Sequence, residues 1–98
     1  MSGKTLVDKV FETDNVLAFY HTRPAYEVHI VVIPKKHILS LLTIADTEKD
    51  LLLEILLVVK QVAESVVSEK GACKVITNLG EYQDSKHLHW HVVYGQRI

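Results

Sequence analysis

The sequence predicts an α+β fold, with about five strands in one antiparallel sheet, one long helix and one short helix. Apolar runs of strand length recur along the chain, and the one long helical stretch lies between the third and fourth of them. Strands and helices do not alternate as they do in βαβ units, so the sheet should be antiparallel. Ninety-eight residues with 48% hydrophobic content fit a single domain over residues 1–98.

The first two predicted strands lie close together in the chain. Residues 5–11 are weakly strand-like and are followed by a turn cluster at 12–15. Residues 16–21 form the second strand, which Arg23 and Pro24 separate from the next one. Alternation along a strand places three side chains of this second strand on one face, namely Leu17, Phe19 and His21.

The third predicted strand covers residues 26–33 and is apolar on both faces apart from His29. This pattern is typical of a central strand that is covered on both sides. The strand should end at Pro34, which has no backbone N–H for a ladder. Residues 38–42 then predict a short helical turn.

The long helix is predicted to run from Thr47 to about Lys70. Thr47 with Asp50 three residues later resembles a capping box, and Gly71 is the usual residue after a helix C-terminus. The helix should span about 35 Å. Its apolar positions cover more than the roughly 100° stripe that packing on one sheet requires.

A second copy of the same helix is the simplest cover for this excess apolar surface, because homodimers are the commonest closed oligomers. We therefore expect a homodimer. The alternative is that the apolar residues of the preceding segment fold back over the helix. These residues are Leu41, Leu42 and Ile44.

The C-terminal part predicts a strand over residues 72–78, a polar loop over 79–86, a second strand over 87–94 and a short tail. In the last strand three histidines alternate with apolar residues. Strand geometry places the histidines on one face and the apolar side chains on the other. The histidines are His87, His89 and His91, and the apolar residues are Leu88, Trp90 and Val92.

Two kinds of chemistry compete to explain this histidine face. A metal ion needs ligand nitrogens within about 2.1 Å, whereas residues i and i+4 of a strand lie roughly 13 Å apart at about 3.3 Å per residue. One ion therefore does not take all three easily, although two histidines with a distant residue could hold one. As nucleophiles or proton carriers, histidines titrate near neutral pH and can serve several atoms of an extended anionic substrate. The array favours this catalytic use.

The charge and apolar content of the sequence limit which partners and which cell compartment are expected. Eleven basic and twelve acidic residues give a net charge of −1, so the protein has no overall field to attract nucleic acid or an anionic membrane. The N-terminus lacks the apolar run of a secretory signal. The most apolar segment, 51–59, is interrupted by Glu54 and is too short to span a membrane. With Cys73 as the single cysteine, these features lead us to expect a cytoplasmic protein.

Several segments of the sequence resemble the motifs of a known family. The segment 87–93 is similar to the HxHxHxx signature of the histidine triad (HIT) family, and 31–37, with sequence Val-Val-Ile-Pro-Lys-Lys-His, is similar to an earlier strand and turn of these proteins. Asn78 and Gly80 match the family's Asn-x-Gly turn, and Gln83 precedes the triad as in the Hint-like branch. The similarity covers about residues 10–97.

The resemblance implies a nucleotide hydrolase or nucleotidyl transferase that acts on an α-phosphate through a covalent histidine intermediate. It implies that His89 is the nucleophile, that His91 contacts the phosphate and helps to protonate the leaving group, and that His87 orients its neighbours. The remaining implied site residues are His29 near the leaving group, Asn78 and Gln83 at phosphate oxygens, Gly80 in the phosphate-site turn, and Phe19 in the base pocket. The expected substrate is a purine nucleoside monophosphate derivative, either a phosphoramidate or a dinucleoside polyphosphate, with no obligatory metal or other cofactor.

The chain departs from the family pattern at three places. Asp84 stands where the Hint-like branch has a serine donor, and Ser85 could replace that donor through a shift in a shortened loop. His21 stands where an acidic residue normally holds the ribose, so it adds a candidate phosphate or metal ligand. The first matching strand also lies close to residue 1, so few residues before it could line the base pocket.

Two other functions compete with the enzyme. One is a nucleotide-binding or partner-binding module with the same fold, in which Asp84 and His21 have altered the pocket. The other is a metal-binding protein that uses His21 or His29 with two histidines of the triad.

Overall fold

One five-stranded antiparallel sheet carries the fold of this chain, of which the computed structural model describes residues 7–98. Its strands are β1 (Lys9–Glu12), β2 (Val16–Tyr20), β3 (Tyr26–Pro34), β4 (Lys74–Ile76) and β5 (Trp90–Arg97). They lie in the order β1-β2-β3-β5-β4, and every neighbouring pair is antiparallel. The predicted α+β class with an antiparallel sheet is confirmed. Residues 5 and 6 of the predicted first strand lie outside the described residues.

Strand β3 lies at the centre of the sheet and is hydrogen-bonded to β2 and β5. Its register with β5 pairs His29 with Val93 and Val31 with His91. Paired residues of an antiparallel ladder point to the same face, so His29 and His91 are diagonal neighbours on one face. The sequence predicted the central position of this strand from its apolar character on both faces.

The opposite face of the sheet packs against the long helix α1 (Lys49–Lys70). The buried helix residues are Ile55, Val58, Val59, Val62 and Val66. They belong to one hydrophobic core with sheet residues that include Val32, Trp90 and Val92. The helix ends as predicted at Gly71, whose φ of 92° is left-handed and whose N–H donates to the carbonyl of Val67 at 2.8 Å. The core therefore lies on the side of the sheet away from His29 and His91.

The predicted start of this helix is wrong. Thr47 lies inside a 3₁₀ turn (Asp46–Glu48), and the helix begins at Lys49 with no side-chain cap. The carboxylate of Glu48 accepts a hydrogen bond from the backbone N–H of Ala45 at 3.3 Å. This bond stabilises the 3₁₀ turn and keeps Thr47 out of the extended conformation that an N-cap residue needs.

The predicted C-terminal strands also have different bounds. Strand β4 is shorter than predicted, and β5 begins at Trp90 and continues through most of the predicted tail. Residues 87–89 do not belong to β5, because the pairing with β3 ends at Val32 and Trp90, and Leu88 donates its N–H to Ile38 O at 2.7 Å instead. The short helical turn is a 3₁₀ turn, Leu41–Thr43, and another follows at Gly80–Tyr82.

The outer face of α1 keeps apolar side chains in contact with solvent. Leu53, Leu56, Leu57 and Val67 are all more than 40% exposed. Leu41 and Ile44 pack against the core as the alternative expects, whereas Leu42 is 76% exposed. The segment therefore folds back in part but leaves the outer face of α1 uncovered. In residues 7–98 no helix is long and apolar enough to cross a membrane.

Candidate functional site

The histidine segment keeps the predicted alternation although its first residues lie outside the strand. Leu88, Trp90 and Val92 are buried in the core. The three intervening histidines are partly exposed on the other side. The apolar side chains therefore anchor the segment, and the imidazoles line the open face of the sheet.

His29 and His91 form a directed chain of hydrogen bonds. The backbone N–H of Ala25 donates to His29 Nδ1 at 3.0 Å, and His29 Nε2 lies 2.8 Å from His91 Nδ1. Because Nδ1 of His29 accepts, the proton of the neutral ring is on Nε2 and is donated to His91. The proton of neutral His91 is then on its own Nε2.

Burial lowers the pKa of His29 to about 4, and the nearby charges of His21 and Arg97 lower it as well. Burial also lowers the pKa of His91 to about 4, with contributions from three neighbouring histidines, while Asp84 acts in the opposite direction. Both rings are therefore neutral at pH 7. Protonation of either Nδ1 would break one of the two hydrogen bonds, which further favours the neutral pair.

The ring of His89 is oriented by the preceding backbone. Its Nδ1 lies 2.6 Å from the carbonyl oxygen of His87, so Nδ1–H donates and the neutral ring keeps a lone pair on Nε2. The His89 and His91 ring centroids are 4.8 Å apart in an edge-to-face arrangement. His87 donates from Nε2 to the carbonyl of Pro34 at 3.0 Å. In the neutral state the His89 ring thus carries an unprotonated Nε2 and lies beside the ring of His91.

Two cavities flank this group of imidazoles. The smaller cavity, of about 240 Å³, has an apolar wall of Phe19, Val31 and Ile33 and also contacts Ser85, His87 and His89. The larger cavity, of about 480 Å³, contacts His29, Asn78, Asp84 and His91. His21 lines both, and its ring centroid lies 4.4 Å from that of His29. The imidazole rings therefore lie between an apolar cavity and a polar one.

Most of the residues that the sequence singled out lie at these two cavities, but two do not. Gln83 is buried and donates from Nε2 to the carbonyl of Leu39 at 2.6 Å. Gly80 has a φ of 62°, the left-handed conformation that favours glycine, and it begins a 3₁₀ turn. Neither residue lines either cavity.

Sequence reasoning did not identify several residues of the larger cavity. Arg23 and Tyr26 come from the loop before β3 and from its first residue, and Arg97 comes from the last residue of β5. The ladder pairs Tyr26 with Arg97. No local pattern indicates this pairing, because it depends on how far β5 continues along β3.

A metal site was one of the alternatives that the sequence left open. Within the part of the chain that the structure describes, no group of three or more His, Cys, Asp or Glu side chains is placed to hold a metal ion.

The chain is similar to proteins of one family. Residues 4–98 match the model of the HIT domain. An uncharacterized HIT-like protein of Synechococcus elongatus is 38% identical over 92 residues, which cover 93% of this chain and 81% of that protein. A HIT family hydrolase from Legionella pneumophila superposes with a TM-score of 0.82 at 30% identity, over 95% of this chain and 85% of that one. A hypothetical histidine triad nucleotide-binding protein from Sulfolobus tokodaii superposes with a TM-score of 0.83 at 28% identity, over 93% and 62% of the two chains.

Proposed function

The chain belongs to the HIT family, and from that premise we propose that it hydrolyses or transfers the nucleoside monophosphate group of a nucleotide through a covalent bond to His89. One observation carries the proposal: Nδ1–H of His89 donates to the carbonyl of His87, which leaves the lone pair of Nε2 beside His91. A neutral imidazole needs to lose no proton before it attacks phosphorus. The similar proteins described as a hydrolase and as nucleotide-binding support this assignment.

The two cavities suggest where the parts of the substrate bind. We assign the nucleoside to the smaller cavity, whose apolar wall of Phe19, Val31 and Ile33 suits a purine base. The leaving group then occupies the larger cavity on the side of His29 and His91. The α-phosphate lies between them, within reach of His89 and His91.

The first step transfers the nucleotide to the enzyme. His89 Nε2 attacks the α-phosphorus, the bond to the leaving atom breaks, and its electron pair goes to that atom. The anionic phosphate favours one extra proton on the His29–His91 pair in the substrate complex. In that form His29 is protonated on both nitrogens, and the hydrogen bond from the Ala25 N–H to its Nδ1 is lost. The leaving atom takes the Nε2 proton of His91, and His91 Nδ1 takes the Nε2 proton of His29 across their 2.8 Å hydrogen bond. Both rings are then neutral.

The second step releases the nucleotide. His91 Nε2 now has a lone pair and takes a proton from water as the water oxygen attacks phosphorus. The bond between phosphorus and His89 Nε2 breaks, and its electron pair returns to that nitrogen. The Nδ1 proton of His91 returns to His29, which restores the starting pair. We propose that this reaction requires no metal, because the imidazoles supply both the nucleophile and the proton.

We also propose that the protein is a homodimer that buries the outer face of α1. Leu53, Leu56, Leu57 and Val67 form an exposed apolar strip on a helix whose other face is in the core. Contact with the same strip of a second copy would remove it from water, as expected for an isologous interface.

The proposed activity is tested by incubating the protein with an adenosine phosphoramidate and with diadenosine polyphosphates. The expected result is release of adenosine monophosphate by the wild type and a loss of at least about a thousandfold in His89→Ala. Lys49→Ala is the control, because this residue is exposed at the start of α1 and lines neither cavity.

Equal rates for the wild type and His89→Ala would contradict the proposal, as would no turnover of any substrate. Nucleotide binding without turnover would instead favour a binding module. One observation supports that second function: the carboxylate of Asp84 acts on His91 electrostatically and would repel an anionic transition state.

A further inference from the structure

We propose that the larger cavity selects a leaving group that carries its own anion, set back from the bond that breaks and bound by Arg23 and Arg97. The inference rests on the proposed function and specifies its substrate class. It concerns the part of the larger cavity that Arg23 and Arg97 line, which is called the arginine end here. The proposed histidine chemistry does not use this part of the site.

The two guanidinium groups are available for a ligand. Both arginines line the cavity and both are exposed. Five ion pairs occur among residues 7–98, and neither arginine takes part in any of them. A guanidinium binds carboxylate or phosphate through two parallel hydrogen bonds, so two arginines that line one concave site suit an anionic ligand.

Backbone hydrogen bonds bring the two chain segments that carry the arginines together beside the cavity. Arg97 pairs with Tyr26 on the ladder of β3 and β5, and Ile98 N–H donates to Ala25 O at 2.7 Å. On the same loop, the backbone N–H of Arg23 donates to His21 Nδ1 at 2.9 Å. Lys74 adds a further cation, since its Nζ lies 5.8 Å from the ring centroid of Tyr26.

The acidic residues of the cavity restrict where an anion binds. Glu81 and Asp84 also line it, and the charge of Asp84 acts on His91, whereas the charge of Arg97 acts on His29. An anion next to the breaking bond would therefore be repelled by Asp84. The ring of Tyr26, which marks the arginine end, lies 5.5 Å from that of His29, and the His29 ring lies 5.0 Å from that of His91. The His29 ring therefore separates the arginine end from His91, and the anion is expected on the far side of His29.

The shared chemistry of the ligand is an anionic group on a short tether, which is either a carboxylate or a phosphate monoester. The cavity volume of about 480 Å³ is large enough for a group of this size. A neutral alkyl amine would fill the cavity but leave both arginines without a partner.

The test uses adenosine phosphoramidates that differ only at the far end of the leaving amine. The three amines are γ-aminobutyramide, γ-aminobutyrate and aminopropyl phosphate, which end in a neutral amide, a carboxylate and a phosphate. For the wild type we expect kcat/KM to be about tenfold higher with either anion than with the amide, the factor that one charge-assisted hydrogen bond contributes. The ratio of kcat/KM to that of the amide is compared for the carboxylate and the phosphate, and the larger ratio identifies the preferred anion.

Variants that remove the positive charges test whether Arg23 and Arg97 cause the preference for an anionic leaving group. Arg23→Gln and Arg97→Gln should each lower the ratio of anion to amide several-fold, and the double variant should bring it close to one. Arg97→Lys keeps the charge and should retain part of the preference. Lys49→Gln removes a cation at the start of α1, outside both cavities, and should leave the ratio unchanged.

Equal kcat/KM values for the amide and both anions in the wild type would overturn the inference while leaving the proposed function intact. An anion preference that persists in the Arg23→Gln, Arg97→Gln double variant would overturn the assignment to these residues. Failure to hydrolyse any of the three compounds would overturn the inference, and it would overturn the proposed function as well if diadenosine polyphosphates were not cleaved either.

Discussion

The Nε2 atom of His29 lies 2.8 Å from the Nδ1 atom of His91, so that a hydrogen bond joins the central strand β3 to the histidine strand β5. The bond exists because the two residues are diagonal neighbours in the ladder, where His29 pairs with Val93 and His91 pairs with Val31. It also couples the protonation of the site to the stability of the fold.

The first prediction concerns stability in acid. His29 is only 6% exposed and its pKa is about 4 in the folded protein, against 6.5 for an unperturbed histidine. Between these two pH values the unfolded chain binds more protons than the folded chain, so the free energy of unfolding falls as the pH is lowered from 6.5 to 4. We expect a loss of about 2 to 3 kcal/mol from this residue.

Urea denaturation at several pH values between 4 and 7 measures this loss. In His29→Gln the free energy of unfolding should fall less between pH 7 and pH 4, because the buried histidine that must stay neutral is gone. A stability profile of the wild type that is flat over this range, or that rises towards acid, would refute the coupling.

The second prediction concerns His21. Its electrostatic effect lowers the pKa of both His29 and His91, so His21→Asp should raise both pKa values, because a carboxylate stabilises the protonated rings. NMR titration of the imidazole protons measures the shift directly. His37→Asp is the control, because that carboxylate would lie outside the two cavities. Unchanged or lower pKa values in His21→Asp would show that His21 does not act on the pair.

The third prediction concerns the anchor of the histidine segment. Leu88, which separates His87 from His89 in the sequence, is 1% exposed and belongs to the hydrophobic core. Leu88→Ala should lower the free energy of unfolding by about 2 to 5 kcal/mol, through lost apolar burial and the cavity that remains. Leu42→Ala removes the same atoms at a site that is 76% exposed and should change it by less than about 0.5 kcal/mol. Similar values for the two variants in urea denaturation would contradict the packing described for Leu88.

The fourth prediction concerns the outer face of α1. Leu56→Glu and Leu57→Glu place a charge in the proposed interface, so sedimentation at micromolar concentration should change from dimer to monomer. Leu42→Glu, an equally drastic change at an exposed leucine outside the helix, should leave the dimer intact. A wild-type protein that sediments as a monomer would disprove the proposed dimer.

Features that depend on local pattern could be predicted from the sequence. The alternation of histidines with Leu88, Trp90 and Val92 determines which side of the segment is buried, even though β5 begins only at Trp90. Gly71 ends the helix because only a left-handed residue closes that turn easily. The apolar character of β3 on both faces places it at the centre of the sheet.

Features that depend on residues distant in the sequence could not be predicted. The start of β5 depends on the bond from Leu88 N–H to Ile38 O, and the arginine end of the larger cavity depends on the pairing of Tyr26 with Arg97. The protonation states of His29 and His91 follow from the same register, which no short stretch of sequence contains. The predicted start of α1 was wrong for a local reason, because the Glu48 carboxylate accepts from the backbone N–H of Ala45 and Thr47 lies in a 3₁₀ turn.

The most direct test of the account is detection of the covalent intermediate. Wild-type protein is mixed with an adenosine phosphoramidate, quenched in alkali within the first turnover because phosphorylated histidine is labile in acid, and measured by intact and peptide mass spectrometry. We predict a mass increase of one adenylyl group on the peptide that contains His89, and none in His89→Ala. Turnover by the wild type without this adduct, or an adduct that persists in His89→Ala, would contradict the assignment of His89 as the nucleophile.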